Sequence, residues 1–228
     1  MKLSVVMPSY NEKETLEEIV KRVQAANPHD KEIIVVDDYS TDGSREILKS
    51  LESDTVKVLY HDRNKGKGFA LKTGFAEAKG DIIMVQDADL EYDPQEIAEL
   101  IRPIEDGRAD VSYGTRFTGS KPQRVHMFSH NIGNKVMTLI TNVLYNSTLS
   151  DMTTCYKAFK KEVIESIDIK SPTFAIEAEL SAKVLKKQLR LFEVPISYYG
   201  RRYEEGKQIK FYHAVGIIWA LFKFRFID

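Results

Sequence analysis

Two hydrophobic periods alternate along the first half of the chain. Short runs rich in β-branched residues recur at Leu3–Met7, Glu32–Val36, Val56–Tyr60, Asp81–Val85 and Asp110–Tyr113, the composition expected of strands. Between them lie helical stripes. Leu16, Ile19, Val20 and Val23 fall at i, i+3, i+4 and i+7 and so share one face. Pro94 opens a further helix carrying Ile97, Leu100 and Ile101, consistent with proline in a first helical turn. Strand starts about every 25 to 30 residues have the βαβ rhythm of a parallel sheet. The pattern predicts an α/β domain: a Rossmann-like, mostly parallel sheet flanked by helices.

The second half reads differently. Residues 117–129 are polar and basic and are expected to form a mobile loop. A helix is expected over Asn134–Leu144, a turn over Asn146–Asp151, a helix over Phe174–Lys187 and a strand over Leu189–Tyr198. The last segment, Lys210–Ile227, is rich in aromatic and aliphatic residues, and Ala214 to Phe222 is apolar throughout. Lys210, Lys223 and Arg225 bracket it. An amphipathic C-terminal helix resting on a membrane surface is one expectation, and a core helix packed on the sheet domain is the other. The division expected is residues 1–210 for the main domain and 211–228 for this helix.

A length of 228 residues suits one large domain. With 33 basic against 34 acidic side chains, nothing draws the chain as a whole toward nucleic acid. Cys155 has no second cysteine to pair with, which suggests a reducing compartment. The first residues enter a strand directly, without the pattern of a signal peptide, and no stretch reaches the roughly 18 to 20 apolar residues that cross a bilayer. The expected location is cytoplasmic, peripheral to a membrane.

The strongest chemical signal is Met84-Val-Gln-Asp87-Ala-Asp89-Leu-Glu91, a hydrophobic run ending in acids. In an open α/β sheet, ligands sit beyond the carboxyl ends of the strands. Asp87, Asp89 and Glu91 alternate, so an extended backbone would aim all three one way. Such carboxylates repel one another unless a cation shares them, and together with diphosphate oxygens they suit Mg²⁺ or Mn²⁺. A solvated acidic turn, with Asp93 as N-cap after it, is the plain structural alternative. Two more strand ends carry polar groups, Val35-Val36-Asp37-Asp38 followed by Ser40-Thr-Asp-Gly43, and Pro8-Ser-Tyr10-Asn-Glu12. Turn capping alone would account for Asp37 and Asp38, but three such ends in one crevice could hold a nucleoside. Asn64-Lys-Gly-Lys67-Gly68 adds cations and glycines ahead of a helix without being a P-loop. The five histidines show no zinc-ligand spacing.

Pro8-Ser-Tyr-Asn-Glu12, Val35-Val-Asp-Asp38 with Ser40-Thr-Asp-Gly43, and Asp87-Ala-Asp89 resemble family 2 glycosyltransferases with the GT-A fold. Gly114-Thr-Arg116, Asp151 through Lys157, Glu193-Val-Pro-Ile196 and Gly200-Arg201 through Gly206-Lys207 narrow the resemblance. They are similar to the dolichyl-phosphate mannose synthase branch and its bacterial polyprenyl-phosphate relatives. The resemblance spans residues 2 to 210 and implies an inverting, metal-dependent transfer from a GDP- or UDP-hexose to a polyprenyl phosphate. It implies that Pro8, Tyr10, Glu12, Val36 and Asp38 hold the nucleoside. Asp87, Ala88 and Asp89 would contact ribose, sugar and diphosphate, and Asp89 and Glu91 would bind Mg²⁺ or Mn²⁺. Asp87, Asp89 and Arg116 are the catalytic set so implied. Arg116, Arg201 and Lys207 would neutralise donor diphosphate and acceptor phosphate, with Ser129 and Lys157 on the acceptor side. The chain departs from the pattern in three places: Glu91 stands where Gln is common, Lys157 replaces an Arg, and Arg124 lies only near the acceptor-loop arginine position.

An ionised phosphate needs no general base, whereas a sugar hydroxyl must lose its proton during attack. Asp151, Glu177 and Glu179 are the candidate bases for a hydroxyl acceptor. Glu177 and Glu179 cannot face the same way on a helix, so one reaches the site and Glu179 is expected to be solvated. A sugar nucleotidyltransferase would need a glycine-rich basic loop after the first strand, which Pro8–Glu12 is not. A binding module with a dead site is disfavoured by the intact Asp87, Asp89, Glu91 and Arg116.

Overall fold

Strands covered by helices on both faces carry continuous aliphatic runs, and the predicted runs build such a sheet. The computed structural model describes residues 1–119, 121–125, 127–207 and 212–227. Seven strands, β1 (Leu3–Ser9), β2 (Lys31–Asp37), β3 (Val56–Tyr60), β4 (Ile82–Val85), β5 (Val111–Thr115), β6 (Lys157–Lys160) and β7 (Leu191–Pro195), lie in the order β3-β2-β1-β4-β6-β5-β7. β6 is antiparallel to both β4 and β5, while every other pairing is parallel. The carboxyl ends of β1, β2, β4, β5 and β7 therefore share one edge of the sheet. The reversed strand brings its first residue, Lys157, to that same edge.

Alternate side chains feed two core layers. Val5 and Met7 of β1 join Leu16, Ile19, Val20 and Val23 of α1 (Leu16–Ala25), Leu48 of α2 (Ser44–Leu51) and Ile97, Leu100 and Ile101 of α4 (Ile97–Glu105). Val6 faces the other layer, with α3 (Lys67–Glu77), α5 (Phe128–Tyr145), α6 (Lys161–Glu165), α7 (Ile176–Lys186) and α8 (His213–Phe226). A short 3-10 turn, Pro94–Glu96, precedes α4, and Asp93 caps it by accepting from Gln95 N at 3.0 Å.

Three elements depart most from the prediction. α5 begins at Phe128 rather than Asn134. Its outer stripe of Phe128, Ile132, Val136, Leu139 and Val143 repeats at helical spacing, so the end of the supposed loop is already helix. β6 is too short and too polar at its ends to stand out as a strand. β7 stops at Pro195, after which Ile196 to Tyr198 run on toward the site edge.

α8 packs against α5 and α7. Ile217, Leu221 and Phe224 are buried in the core, each contributing about 2 kcal/mol as an upper estimate. Tyr145 donates from its hydroxyl to Leu221 O at 2.6 Å, and Lys186 Nζ donates to Phe224 O at 3.0 Å. The opposite face is also apolar: Val215, Trp219 and Phe226 are 70%, 63% and 73% exposed. The helix thus lacks the polar face of an amphipathic one. Lys210 lies outside the described residues. Among the described residues no helix is long and apolar enough to cross a membrane.

Candidate active site

The acidic segment is a turn, not an extended strand. β4 ends at Val85, and Leu90 adopts a left-handed φ of 59°, so the three carboxylates diverge toward separate cations. Asp87 pairs with Lys67 at 2.7 Å, Asp89 with Arg201 at 3.4 Å and Glu91 with Lys207 at 3.0 Å. Arg201 also holds Glu12 through two bonds of 2.8 Å. Thr15, at the start of α1, donates to Ala88 O at 2.7 Å and ties the turn to that helix.

Glu91 is occupied by protein donors. One oxygen accepts from Arg201 N and Lys207 Nζ, the other from Tyr198 Oη at 2.8 Å. Asp89 is the less satisfied carboxylate. Burial, then the neighbouring Glu91 and Asp87 charges, push its pKa up to about 8 against the pull of Arg201. Because Arg201 is shared with Glu12, four carboxylates (Glu12, Asp87, Asp89 and Glu91) face three cations, which fits a divalent cation at Asp89. Arg201 Nε, buried beside it, has no hydrogen-bond partner among the described residues.

Arg116 follows β5, and its guanidinium is fixed before any ligand arrives. Its Nε and Nη2 donate to Asp151 at 2.6 and 2.8 Å, Nη2 also to Thr153, and its plane lies 4.9 Å from the Tyr198 ring centroid. Asp151, named above as a possible base, is fully buried in this pair. Glu193 holds the turn that carries it, accepting from the Ser150 and Asp151 amides.

A cavity of about 470 Å³ joins these groups. Its wall includes Pro8, Tyr10, Glu12, Asp38, Asn64 and Gly66 from the first two strand ends and the loop before α3. It includes Asp87, Ala88, Asp89, Glu91, Arg116, Arg201 and Lys207. Met127, Met137, Tyr212 and Ile217, on and beside α5 and α8, also line it. Asp38 fixes the loop before α3, accepting from the Lys65 and Gly66 amides at 2.8 and 2.7 Å and contacting His61 Nδ1 at 2.7 Å. Asp37 makes the predicted turn cap, accepting from Ser40 N.

Five further residues singled out in the sequence lie outside the cavity lining. Val36 points into the core with no exposure and is absent from the cavity wall. Ser129 is exposed on the first turn of α5, outside the lining. Lys157 is fully buried beneath the floor, bonded to Glu177 and to Met152 O and Thr154 O. Glu179 is not solvated. It is fully buried and accepts from the Lys170 and Ser171 amides and from Lys183. Arg124 lies outside the cavity lining and pairs with Glu205 at 2.9 Å. Glu177 does reach the cavity, where Lys157 and Lys67 outweigh burial and hold its carboxyl below the usual range. Tyr198, Tyr92 and His61 were not singled out in the sequence, because only the folded chain brings them to the acidic groups.

The family model described as glycosyl transferase family 2 matches residues 4–168. The chain belongs to glycosyl transferase family 2. Among the family's curated members, a dolichol-phosphate mannosyltransferase of Pyrococcus furiosus is 33% identical over 91% of this chain. A low-salt glycan biosynthesis hexosyltransferase of Haloferax volcanii is 31% identical over 89% of it. A polyprenol monophosphomannose synthase of Mycolicibacterium smegmatis is 30% identical over 85%. The chain spans 59%, 49% and 76% of these three proteins' own lengths. Among solved structures, glucosyl-3-phosphoglycerate synthase of Mycobacterium tuberculosis, in complex with Mn²⁺, UDP and glucosyl-3-phosphoglycerate, superposes with a TM-score of 0.77. That match covers 100% of this chain and 81% of the other at 19% identity, a likeness of fold alone. Within this family 2 domain the matched segment holds Pro8 to Asp38, the acidic turn and Arg116. Glu177, Arg201 and Lys207 lie beyond it.

Proposed function

We propose that the protein transfers a hexose, mannose or glucose, from a GDP- or UDP-sugar to a polyprenyl phosphate at a membrane surface, inverting the anomeric carbon in one displacement. The observation that carries this reading is that one cavity is lined both by the acidic turn and by residues on and beside α5 and α8. The outer faces of those helices are apolar, with Phe128, Leu139, Val143, Val215, Trp219 and Phe226 all more than 60% exposed. Neither helix contains Asp or Glu, whereas Lys135, Lys223 and Arg225 do lie on them. Such a surface suits an anionic bilayer, with the aromatic groups in the interface and the cations at the headgroups. A lipid phosphate could enter the cavity from that side while its chain stays in the lipid. The names of the Pyrococcus and Mycolicibacterium relatives point the same way.

The candidate bases support an acceptor that needs none. Asp151 is buried against Arg116, and Glu177 is clamped between two lysines. Arg116, Arg201 and Lys207 supply fixed positive charge where a diphosphate leaves and a phosphate attacks. Asp89 would hold Mg²⁺ or Mn²⁺, which supplies further charge neutralisation for the departing diphosphate. Glu91 would join it only if Lys207 moves to a phosphate.

The test is a donor panel of GDP-mannose, UDP-glucose and their analogues with a short polyprenyl phosphate in anionic vesicles and Mn²⁺, following nucleotide release and lipid product together. Lipid-linked sugar that disappears on chelation is the expected result. Vesicle flotation at low salt should carry the protein upward, and Trp219→Glu should weaken that. Sugar transfer to oligosaccharide hydroxyls, with no lipid product and no flotation, would replace this reading with a hydroxyl acceptor.

A further inference from the structure

A buried histidine stands behind the cavity wall at the ends of β2 and β3. The register that sets Asp37 opposite Tyr60 brings the next residues, Asp38 and His61, side by side. Asp38 lines the cavity, whereas His61 is 6% exposed and does not. The ring's Nδ1 meets Asp38 Oδ1 at 2.7 Å, and its Nε2 meets the Thr73 hydroxyl on α3 at 3.0 Å. A carboxylate only accepts, so Nδ1 is the donor in the first contact. The main chain of His61 is held as firmly: its N donates to Asp37 O and its O accepts from Arg45 Nη2, both at 2.9 Å. We propose that His61 is a positioning residue for donor binding, its Nδ1–H setting the Asp38 carboxylate and, through it, the loop that bears Asn64 and Gly66. This rests on the glycosyl-transfer reading and adds a residue that touches neither donor nor acceptor.

The bonding of Asp38 singles out this contact. Two carboxylate oxygens accept about four hydrogen bonds. Among the described residues they receive three, from His61 Nδ1 and Lys65 N on Oδ1 and from Gly66 N on Oδ2. The two amides belong to the loop and move with it. His61 is the one side chain among the described residues that bonds this carboxylate. Neighbouring cations are engaged elsewhere, Arg45 with Asp37 at 2.9 Å and Lys65 with Asp62 at 2.8 Å. The remaining acceptor position, on Oδ2, is left for an N–H or O–H that enters the cavity. An acceptor already fixed in place costs little ordering when a ligand arrives.

The loop is backed from its other side. Gly68 N donates to Pro172 O at 2.8 Å. Gly66 has a φ of 88°, and a Cβ there would lie 2.3 Å from the same carbonyl oxygen. With the 171–172 backbone fixing one side of the loop, Asp38 fixes the other, and His61 fixes Asp38. Removing Nδ1–H frees the carboxylate to turn between the loop amides, so Asn64, Gly66 and the open acceptor position lose their common geometry.

The experiment separates the two ring nitrogens. Asn carries its amide nitrogen where histidine carries Nδ1, and Gln where it carries Nε2. Calorimetry of the whole chain with Mn²⁺ and GDP or UDP should show His61→Gln binding the preferred nucleotide about tenfold or more weakly, the scale of a hydrogen bond to a charged group. His61→Asn should stay within about threefold of the parent. In the transfer assay the loss should fall on KM for the donor, with kcat within about threefold. Added to Asp38→Asn, His61→Gln should cost less than about twofold more, because the group it sets is already altered. On the unaltered protein, the ring-nitrogen NMR signals of His61 should report a protonated Nδ1 that shifts when nucleotide binds. That arm needs no variant to fold. Equal affinities of the Asn and Gln variants would overturn the inference, whether both match the parent or both are weak. So would a loss confined to kcat, full additivity with Asp38→Asn, or a ring signal that ignores nucleotide. Those outcomes leave nucleotide binding by the parent intact, and with it the transfer reading. If the unaltered protein binds no nucleotide, both readings fall.

Discussion

Replacing Lys157 by Met separates a structural cation from a phosphate ligand. Lys157 has no solvent exposure, and its ammonium meets Glu177 and two main-chain carbonyls. Met fills a similar volume, so the main loss is electrostatic. It leaves the Glu177 carboxylate, on a side chain only 7% exposed, with Lys67 at 3.6 Å as its remaining cation. Breaking a buried pair from one side costs about 3–5 kcal/mol. At about 2–4 °C per kcal/mol for a chain of this size, Tm should fall by about 6–20 °C. Glu177→Gln should cost less, because Lys157 keeps Met152 O and Thr154 O. The double variant Lys157→Met/Glu177→Leu should cost less than the sum of the single changes by about 1–3 kcal/mol.

The pH dependence carries the sign of the argument. In the intact protein the folded Glu177 carboxyl lies below its ordinary value, because Lys157 and Lys67 outweigh burial. Its stabilisation is therefore present above the unfolded pKa of about 4.3 and is lost as pH falls below it. In Lys157→Met the same carboxyl is raised by burial and relieved by protonation. The Tm gap between the two proteins should be widest at pH 7 and narrow toward pH 4. Thermal melts across that range, with titrations of a short polyprenyl phosphate beside them, are the measurement. A variant that melts within about 2 °C of the parent at every pH would refute the clamp. A large loss of polyprenyl-phosphate affinity without loss of stability would restore Lys157 as an acceptor-phosphate ligand.

Gly68→Ala should destabilise by several kcal/mol or prevent folding, because the added Cβ would lie 1.9 Å from Ser171 O, a backbone atom with little room to move. Gly133→Ala on α5 meets nothing within 4 Å and should raise stability by about 0.5–1 kcal/mol, which denaturant melts would show. Arg190, aided by Lys160, holds the Asp110 carboxyl well below its ordinary value against a weaker effect of burial. This stabilisation exists above about pH 4 and is lost on acidification, so Asp110→Asn should cost about 1 kcal/mol at pH 7, after solvent screening, and less at pH 3.

The layers of this fold are legible because they rest on local periods. The α1 stripe of Leu16, Ile19, Val20 and Val23 is fully buried as its spacing requires. β6 escaped notice because Lys157-Ala-Phe-Lys160 has neither length nor alternation, and its reversal depends on the neighbours it finds in β4 and β5. The start of α5 was hidden differently. Polar residues before it suggested a loop, while Phe128 and Ile132 already belonged to a helical repeat with Val136.

In the site, the acidic groups announce themselves and their partners do not. Asp87, Asp89 and Glu91 stand out because carboxylates cluster after a hydrophobic run. What each one does depends on a cation far away in sequence: Lys67, Arg201 and Lys207. Glu12 and Arg201 are separated by 189 positions and form the most complete charge pair in the cavity. Nothing local marks either for the other. Glu179 shows the converse failure. Two places from Glu177 on one helix, its spacing predicts a solvated side chain, yet it caps the 170–171 amides inside the protein. Helical spacing gives the angle between two side chains but not what the rest of the chain has placed at each angle. Cation partners and buried caps are properties of the closed fold, so a sequence can nominate the carboxylates of such a site, and the structure must assign their roles.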